Sequence, residues 1–477
     1  MQNSAIKEET PDHSEGAKSA ARPSSRRNRE QRIREIIDTA RQVFQEDGYA
    51  GFAIRRVADR MGITHGNLQY YFRTTEELLR TALPAYLSQV MEDYKAIASR
   101  PGMGAAQRCS ALINRIFQNI NETDLPKFMV EIWAFASHEA YVAELLRDMQ
   151  ARYRGILEKL LSELHPTLSS DACQVRAAVI VAQMDGMTIF ASHGDYPGKD
   201  YVELIRVAKR AVKMVMSASP QMLESEAPHR RPRVLHDGSH TPISVFGSNG
   251  DLQPGLLDLR AHQSTQDAFH YRPTAQGKRR ELKINEIVST AANLLATEGY
   301  ANFTLARVAR ELGILPSVLQ NYFPTHDDLL RSTLDAVGRA YLDHYAELGK
   351  PSGKSALERL CDIAADVFEE VCVPEVQQLW IEMFALAQHS DITREIVGRG
   401  YAAYRVVCTD LIREIDSSAT ARECLARATL IAALVDGVIV LRFGTQNQPV
   451  NADRAFELMM AMTALIGQGR IAANDAS

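Results

Sequence analysis

The chain has 477 residues, 45% of them hydrophobic and 24% charged, with a formal net charge of −5. That is an ordinary balance for a globular protein, with ample chain for sizeable cores and for two to four domains. A negative total rules out a uniformly basic molecule, so any nucleic-acid surface must be local.

Residues 1–28 are rich in Ser, Lys, Arg and Glu and read as a disordered tail. The first 32 residues carry no apolar core, so no signal peptide is expected. The most apolar stretch, Ala428 to Phe443, is interrupted by Asp436 and too short to cross a bilayer. No membrane partner and a cytoplasmic location are therefore expected. Arg22, Arg26, Arg27 and Arg29 close the tail, either as a solvated terminus or as an arm that neutralises phosphates.

From Arg29 a helical stripe begins: Ile33, Ile36, Ile37, Ala40, Val43 and Phe44 recur at helical spacing, and Gly48 ends it. A second helix turns Ile54, Val57, Ala58 and Met61 inward and breaks at Gly62. Thr64 has the chemistry of an N-cap for a third helix, which buries Leu68 and Phe72. Its outward residues, His65, Gly66, Asn67, Gln69 and Tyr70, include no acidic chain, and Asn and Gln can pair bidentately with adenine in a major groove. A fourth helix follows with Leu78, Leu79, Ala82 and Leu83 as its stripe. Arg22 to Leu83 holds 12 Arg against 8 acidic residues, about +4, which favours a nucleic-acid face here.

Residues 85–216 read as helices broken near Pro101-Gly102, Asn121 to Pro126, His165-Pro166 and Pro197-Gly198. Residues 217–277 lose all apolar period and read as a flexible linker. Its histidines (His229, His236, His240, His262, His270) are irregularly spaced and lack cysteine partners, so no metal site is expected. The six cysteines are scattered and read as reduced core residues. No nucleotide loop, nucleophile elbow or other catalytic constellation appears, so neither an enzyme nor a cofactor is expected.

At residue 278 the pattern restarts. Arg34–Leu83 against Asn285–Leu334 gives 22 identities in 50 positions without a gap, at an offset of 251. Glu131, His138, Tyr153, Asp185 and Gly186 return at the same offset as Glu382, His389, Tyr404, Asp436 and Gly437, so the whole unit is duplicated. The expected domains are a head at 29–84, a bundle at 85–216, a second head at 278–335 and a second bundle at 336–470.

A Gly-Tyr helix ending, then V-A-x-x-x-G-I, then L-x-x-Y-F and a following L-L resembles the TetR family of bacterial transcriptional regulators. Tyr71-Phe72 and Tyr322-Phe323 carry its aromatic pair. The bundles, with Ile132-Trp133-Ala134, Met383-Phe384-Ala385 and the Asp-Gly helices, look most like the BetI-type subgroup. The resemblance implies an all-α fold: two units, each a three-helix helix-turn-helix head followed by a helical ligand and dimerisation bundle. It also implies a double-stranded DNA operator, a small-molecule effector whose binding shifts the spacing of two heads, and self-association through the helices near Asp185 and Asp436, within one chain or between two. Three departures stand out. Thr75 and His326 occupy the place of a usual phosphate-contacting Lys. Copy two opens its recognition helix with Leu315-Pro316-Ser317-Val318. Arg55 becomes Ala306.

With the motifs at Ala53 to Phe72 and Thr304 to Phe323, the expected DNA contacts are Arg27, Arg29, Arg55, Arg56, Thr64, His65, Gly66, Asn67, Gln69, Tyr70 and Tyr71 in copy one. In copy two they are Arg307, Pro316, Ser317, Val318, Gln320, Asn321 and Tyr322. Arg56 can instead pair with an acid inside its domain, and the tyrosines can pack inward while still reaching a phosphate. Lys278 to Leu334 has 7 basic and 6 acidic residues, about +1, so copy two should hold DNA more weakly or read a different half-site. Trp133, His138, Tyr153, Phe190, Phe384, His389 and Tyr404 are the candidate effector contacts, against a plain core role for each. Asp185 and Asp436 sit in very apolar helices and each needs a partner.

The function expected is sequence-specific regulation, a repressor switched by a ligand, with the two units acting as an intramolecular pseudo-dimer on an asymmetric operator. Half-sites one turn apart lie roughly 34–36 Å from each other, and a flexible linker of about 60 residues spans about 40–45 Å. The alternative is a ligand- or protein-binding role in which the second head has degenerated.

Overall fold

The computed structural model describes residues 23–193, 198–219, 222–223, 277–371, 374–445 and 451–471, and no strand occurs among them. Most of the tail and of the linker, with its five histidines, lies outside the described residues. The chain forms two compact units, one of Met1–Gln42 with Ala53–Ala82 and one of Val43–Phe52 with Leu83–Ser477.

The first unit is the first head. Helix α1 (Pro23–Gly51), broken by a kink at Gly48, starts upstream of Arg29, with Pro23 in its first turn, where a missing N–H is no loss. Ile36 and Ala40 of α1 are buried together with Val57 and Ala58 of α2 (Ile54–Arg60) and Leu68 of α3 (His65–Gln69). Phe72, and Leu78 and Leu79 at the start of α4 (Thr75–Ala98), complete the core. Gly62 ends α2 at φ 65, a left-handed turn in which Ile63 N–H reaches back to Ala58 O at 3.0 Å.

The second unit holds the last turns of α1, both bundles and the second head. The first bundle is α5 (Ala105–Glu122), α6 (Leu125–Ala136), α7 (Ala140–Leu164), α8 (Ser170–Ser192) and α9 (Gly198–Ser217). The second head is α10 (Gly277–Glu298), α11 (Leu305–Glu311), α12 (Pro316–Gln320) and the start of α13 (His326–Gly349). The second bundle continues with α14 (Ala356–Glu370), α15 (Pro374–His389), α16 (Asp391–Ile415), α17 (Ala421–Thr445) and α18 (Ala452–Gly467). The break between α6 and α7 carries neither Pro nor Gly. The chain leaves the helix there because the N–H groups of Ser137 and His138 close tighter, 3.1 Å bonds to Ala134 and Phe135.

The seam of this unit is α8 against α17. Each also packs on the closing helix of the other copy, α8 on α18 and α17 on α9. Both seam helices are apolar over most of their circumference, because protein surrounds them. By length and composition alone either could cross a membrane, yet 89% of each apolar window is buried in the fold. Here α17 extends well beyond the Ala428–Phe443 core that its sequence marks as too short. Gly186 and Gly437 mark the closest approach. A Cβ on Gly186 would overlap the carbonyl of Ala433, and one on Gly437 would overlap the carbonyl of Ala182. These are the same two positions of the repeat, so the contact is reciprocal.

Candidate DNA-binding heads and effector bundles

In the first head Thr64 is an extended N-cap whose Oγ1 accepts the Asn67 N–H at 3.2 Å. That bond satisfies one orphan donor and fixes the start of α3. Leu68 anchors the helix with no exposed surface, leaving His65, Gly66, Asn67 and Gln69 outward. Tyr70 is 74% exposed, a large ring held in water, and stands edge-on to half-buried Tyr71 at 5.2 Å. Arg27, Arg29, Arg55 and Arg56 are exposed.

The second head has the same frame and a different face. Leu315 occupies the cap position and has no side-chain acceptor, and Pro316 fills the first helical position. Ser317, Gln320 and Asn321 are exposed, but Leu315 (69%) and Val318 (38%) put apolar surface beside them. Half-buried Tyr322 lies under the Arg280 guanidinium, 4.9 Å from its ring centre. Arg307, expected on a phosphate, is engaged inside its own head. Its Nε donates to Glu298 at 2.9 Å and its Nη1 to Glu311 at 2.7 Å, and these two carboxylates hold its pKa above the ordinary arginine value.

Two carboxylates fasten the ends of the heads' first helices. Glu131 accepts the Tyr49 N–H at 2.8 Å, His389 Nε2 at 2.8 Å and Gln388 Nε2 at 3.0 Å. Glu382 accepts the Tyr300 N–H at 3.1 Å, the Tyr49 hydroxyl at 2.8 Å and His138 Nε2 at 2.6 Å. Each glutamate is 1% exposed, belongs to one bundle and receives the histidine of the other. Burial raises the Glu131 pKa, and the His389 bond works against that rise. The clamped backbone runs through Gly48 at φ 69 and Gly299 at φ 75. A Cβ on Gly48 would stand 2.6 Å from His389 Nε2 and 2.8 Å from Glu131 Oε2, so both the turn and the close approach require glycine.

His138 and His389, expected on an effector, are therefore committed to these crossed pairs. Trp133 and Tyr153 are 1% and 5% exposed in the first bundle's core, where the Tyr153 ring lies 5.7 Å from Tyr94. Asp185 accepts from Gln150 Nε2 at 2.8 Å, and burial pushes its pKa up to about 7. Asp436 accepts from the Tyr401 hydroxyl and is likewise pushed up to about 7 by burial. Around Asp436 a cavity of about 80 Å³ is walled by Tyr345, Trp380, Met383, Tyr401 and Tyr404. Phe190, from the first copy, and Phe384 stand behind it with their rings 6.1 and 6.2 Å from Tyr401. Of the seven expected effector residues, only Tyr404 lines this cavity. Tyr401 gave no sequence signal as a site residue, because its repeat partner is Gln150. Comparing the two copies position by position would have found it.

Two helix-turn-helix heads, each followed by a helical bundle, define a DNA-binding transcriptional regulator. The sequence profile of the bacterial regulatory proteins of the tetR family matches residues 36–82 and again 287–333. That of the BetI-type transcriptional repressor C-terminal domain matches 105–215 and again 356–467. The chain belongs to the TetR family, with a BetI-type bundle after each head. It is similar to the HTH-type transcriptional regulator BetI of Escherichia coli O17:K52:H18 (strain UMN026 / ExPEC). The two are 28% identical over 171 residues, 35% of this chain and 85% of that protein. The protein of the same name from Escherichia coli strain K12 is 27% identical over 171 residues, again 35% of this chain and 85% of its own.

Proposed function

We propose that this chain is an effector-switched repressor whose two fused units act as an intramolecular pseudo-dimer on an asymmetric operator. The observation that carries the reading is the reciprocal seam. In a two-fold dimer residue i of one subunit meets j of the other, and j meets i. Here Gly186 meets Ala433 and Gly437 meets Ala182, positions related by the internal offset of 251. The crossed Glu131–His389 and Glu382–His138 pairs obey the same relation. Surfaces that would otherwise recruit a second chain are thus satisfied within one. A regulator of this kind works in the cytoplasm.

The heads are unequal in this reading. His65, Asn67, Gln69, Tyr70 and Tyr71 read bases and phosphates in one half-site, helped by Arg27, Arg29, Arg55 and Arg56 and by the Thr64 cap. Pro316, Ser317, Val318, Gln320, Asn321 and Tyr322 read the other with less charge to spare, because Arg307 is already paired. The paired Arg307 and the apolar Leu315 also favour a second reading, a degenerate head two that binds no operator. Footprinting separates the readings. Asn67→Ala with Gln69→Ala should erase the strong half of the footprint, and Gln320→Ala with Asn321→Ala should erase the weak half. A footprint untouched by the second pair would sink the two-headed reading.

A further inference from the structure

Gly338 and Gly400 lie inside helices α13 and α16, where glycine destabilises a helix. Nothing pays for them in the packing. A Cβ built at either meets no atom within 4 Å, unlike the seam glycines, and both positions border the cavity around Asp436. Their partners at the internal offset are Leu87 and Met149, which are 2% and 6% exposed. At these two positions copy one therefore carries two large buried side chains and copy two carries glycines. Inside, the wall is aromatic and aliphatic with few polar atoms. The Asp436 carboxyl already holds the Tyr401 hydroxyl, so it does not demand a countercharge. The Tyr404 hydroxyl, on a residue 9% exposed, meets the Cys408 thiol, a weak hydrogen-bonding partner, and no nitrogen or oxygen.

We infer that the second bundle alone takes the effector, one per chain, as a small, neutral, single-ring molecule with one hydrogen-bonding group directed at Asp436 and Tyr404. This rests on the reading of the bundles as effector domains and makes the two units divide sensing between them. The test uses the full chain and phenol, a neutral one-ring molecule with a single hydroxyl, followed by titration calorimetry. Saturation at one equivalent per chain is expected. Gly400→Met and, separately, Gly338→Leu should each weaken binding about ten-fold or more by filling the space, with helical circular dichroism retained to show folding. Two equivalents per chain, no saturable binding, or affinity unchanged in both filled variants would overturn the inference. Operator affinity is read in parallel. One-to-one binding that leaves operator affinity unaltered would uphold the cavity assignment and refute the effector-switched function.

Discussion

Replacing Glu382 with alanine strips three donors at once: the Tyr300 amide at 3.1 Å, the Tyr49 hydroxyl at 2.8 Å and His138 at 2.6 Å. Hydrogen bonds to a charged group contribute about 1.5–3 kcal/mol each, but they are not additive, and breaking a buried pair costs about 3–5 kcal/mol in total. His138 is 21% exposed, so water partly rescues it and the low end of that range applies. Glu382→Ala is therefore expected to destabilise the second unit by about 3 kcal/mol. In a double-mutant cycle, Glu382→Ala and His138→Ala should couple by about 1.5–3 kcal/mol. Glu131→Ala and His389→Ala should behave in the same way. Urea unfolding followed by helical circular dichroism gives the energies. Amide exchange localises them: Tyr300 should exchange faster in Glu382→Ala and Tyr49 faster in Glu131→Ala. Coupling indistinguishable from zero, with both amides still protected, would refute the idea that crossed carboxylates fasten the heads' first helices.

Gly186→Ala should destabilise by about 1–3 kcal/mol through overlap with the Ala433 carbonyl, whereas Gly338→Ala, whose Cβ meets nothing, should stabilise by up to about 1 kcal/mol. Thermal melts of the two variants should shift in opposite directions. The Asp436 carboxyl is pushed up to about 7 in the folded chain, against about 3.9 unfolded. Its contribution is fully present below about pH 4 and is lost as pH rises through about 7, because the folded state holds the extra proton. Asp436→Asn should therefore gain on the parent by up to about 1.4 kcal/mol per pH unit across that window. A stability difference that stays flat with pH contradicts it. Thr64→Ala should cost about 1 kcal/mol by uncapping α3 and weaken operator binding in a gel-shift titration, while Leu315→Ala should leave helix stability nearly unchanged.

The heads were legible because their signals are local. Apolar stripes at helical period, Gly48 and Gly62 in left-handed turns, and the Thr64 cap each act within a few residues. The duplication was legible because its offset holds without a gap. What the sequence conceals is long-range. Glu131 meets a histidine 258 residues away, and Glu382 one 244 residues away, so His138 and His389 look like pocket aromatics until the bundles are folded together. Arg307 looks free for phosphate because its partner Glu298 lies in the preceding helix. The cavity was hidden because glycine at 338 and 400 announces flexibility in one dimension and empty space only in three. The Ser137–Glu139 break was missed because ordinary residues tighten there without a turn signal.

The central claim is that one chain supplies both halves of the regulator. Native mass spectrometry of the complex with a footprinted operator duplex tests it most directly. The account predicts one 53.1 kDa chain per duplex, and the same single-chain mass for the free protein at low concentration. Two chains on one duplex, or a free protein that is dimeric at low concentration, would contradict it.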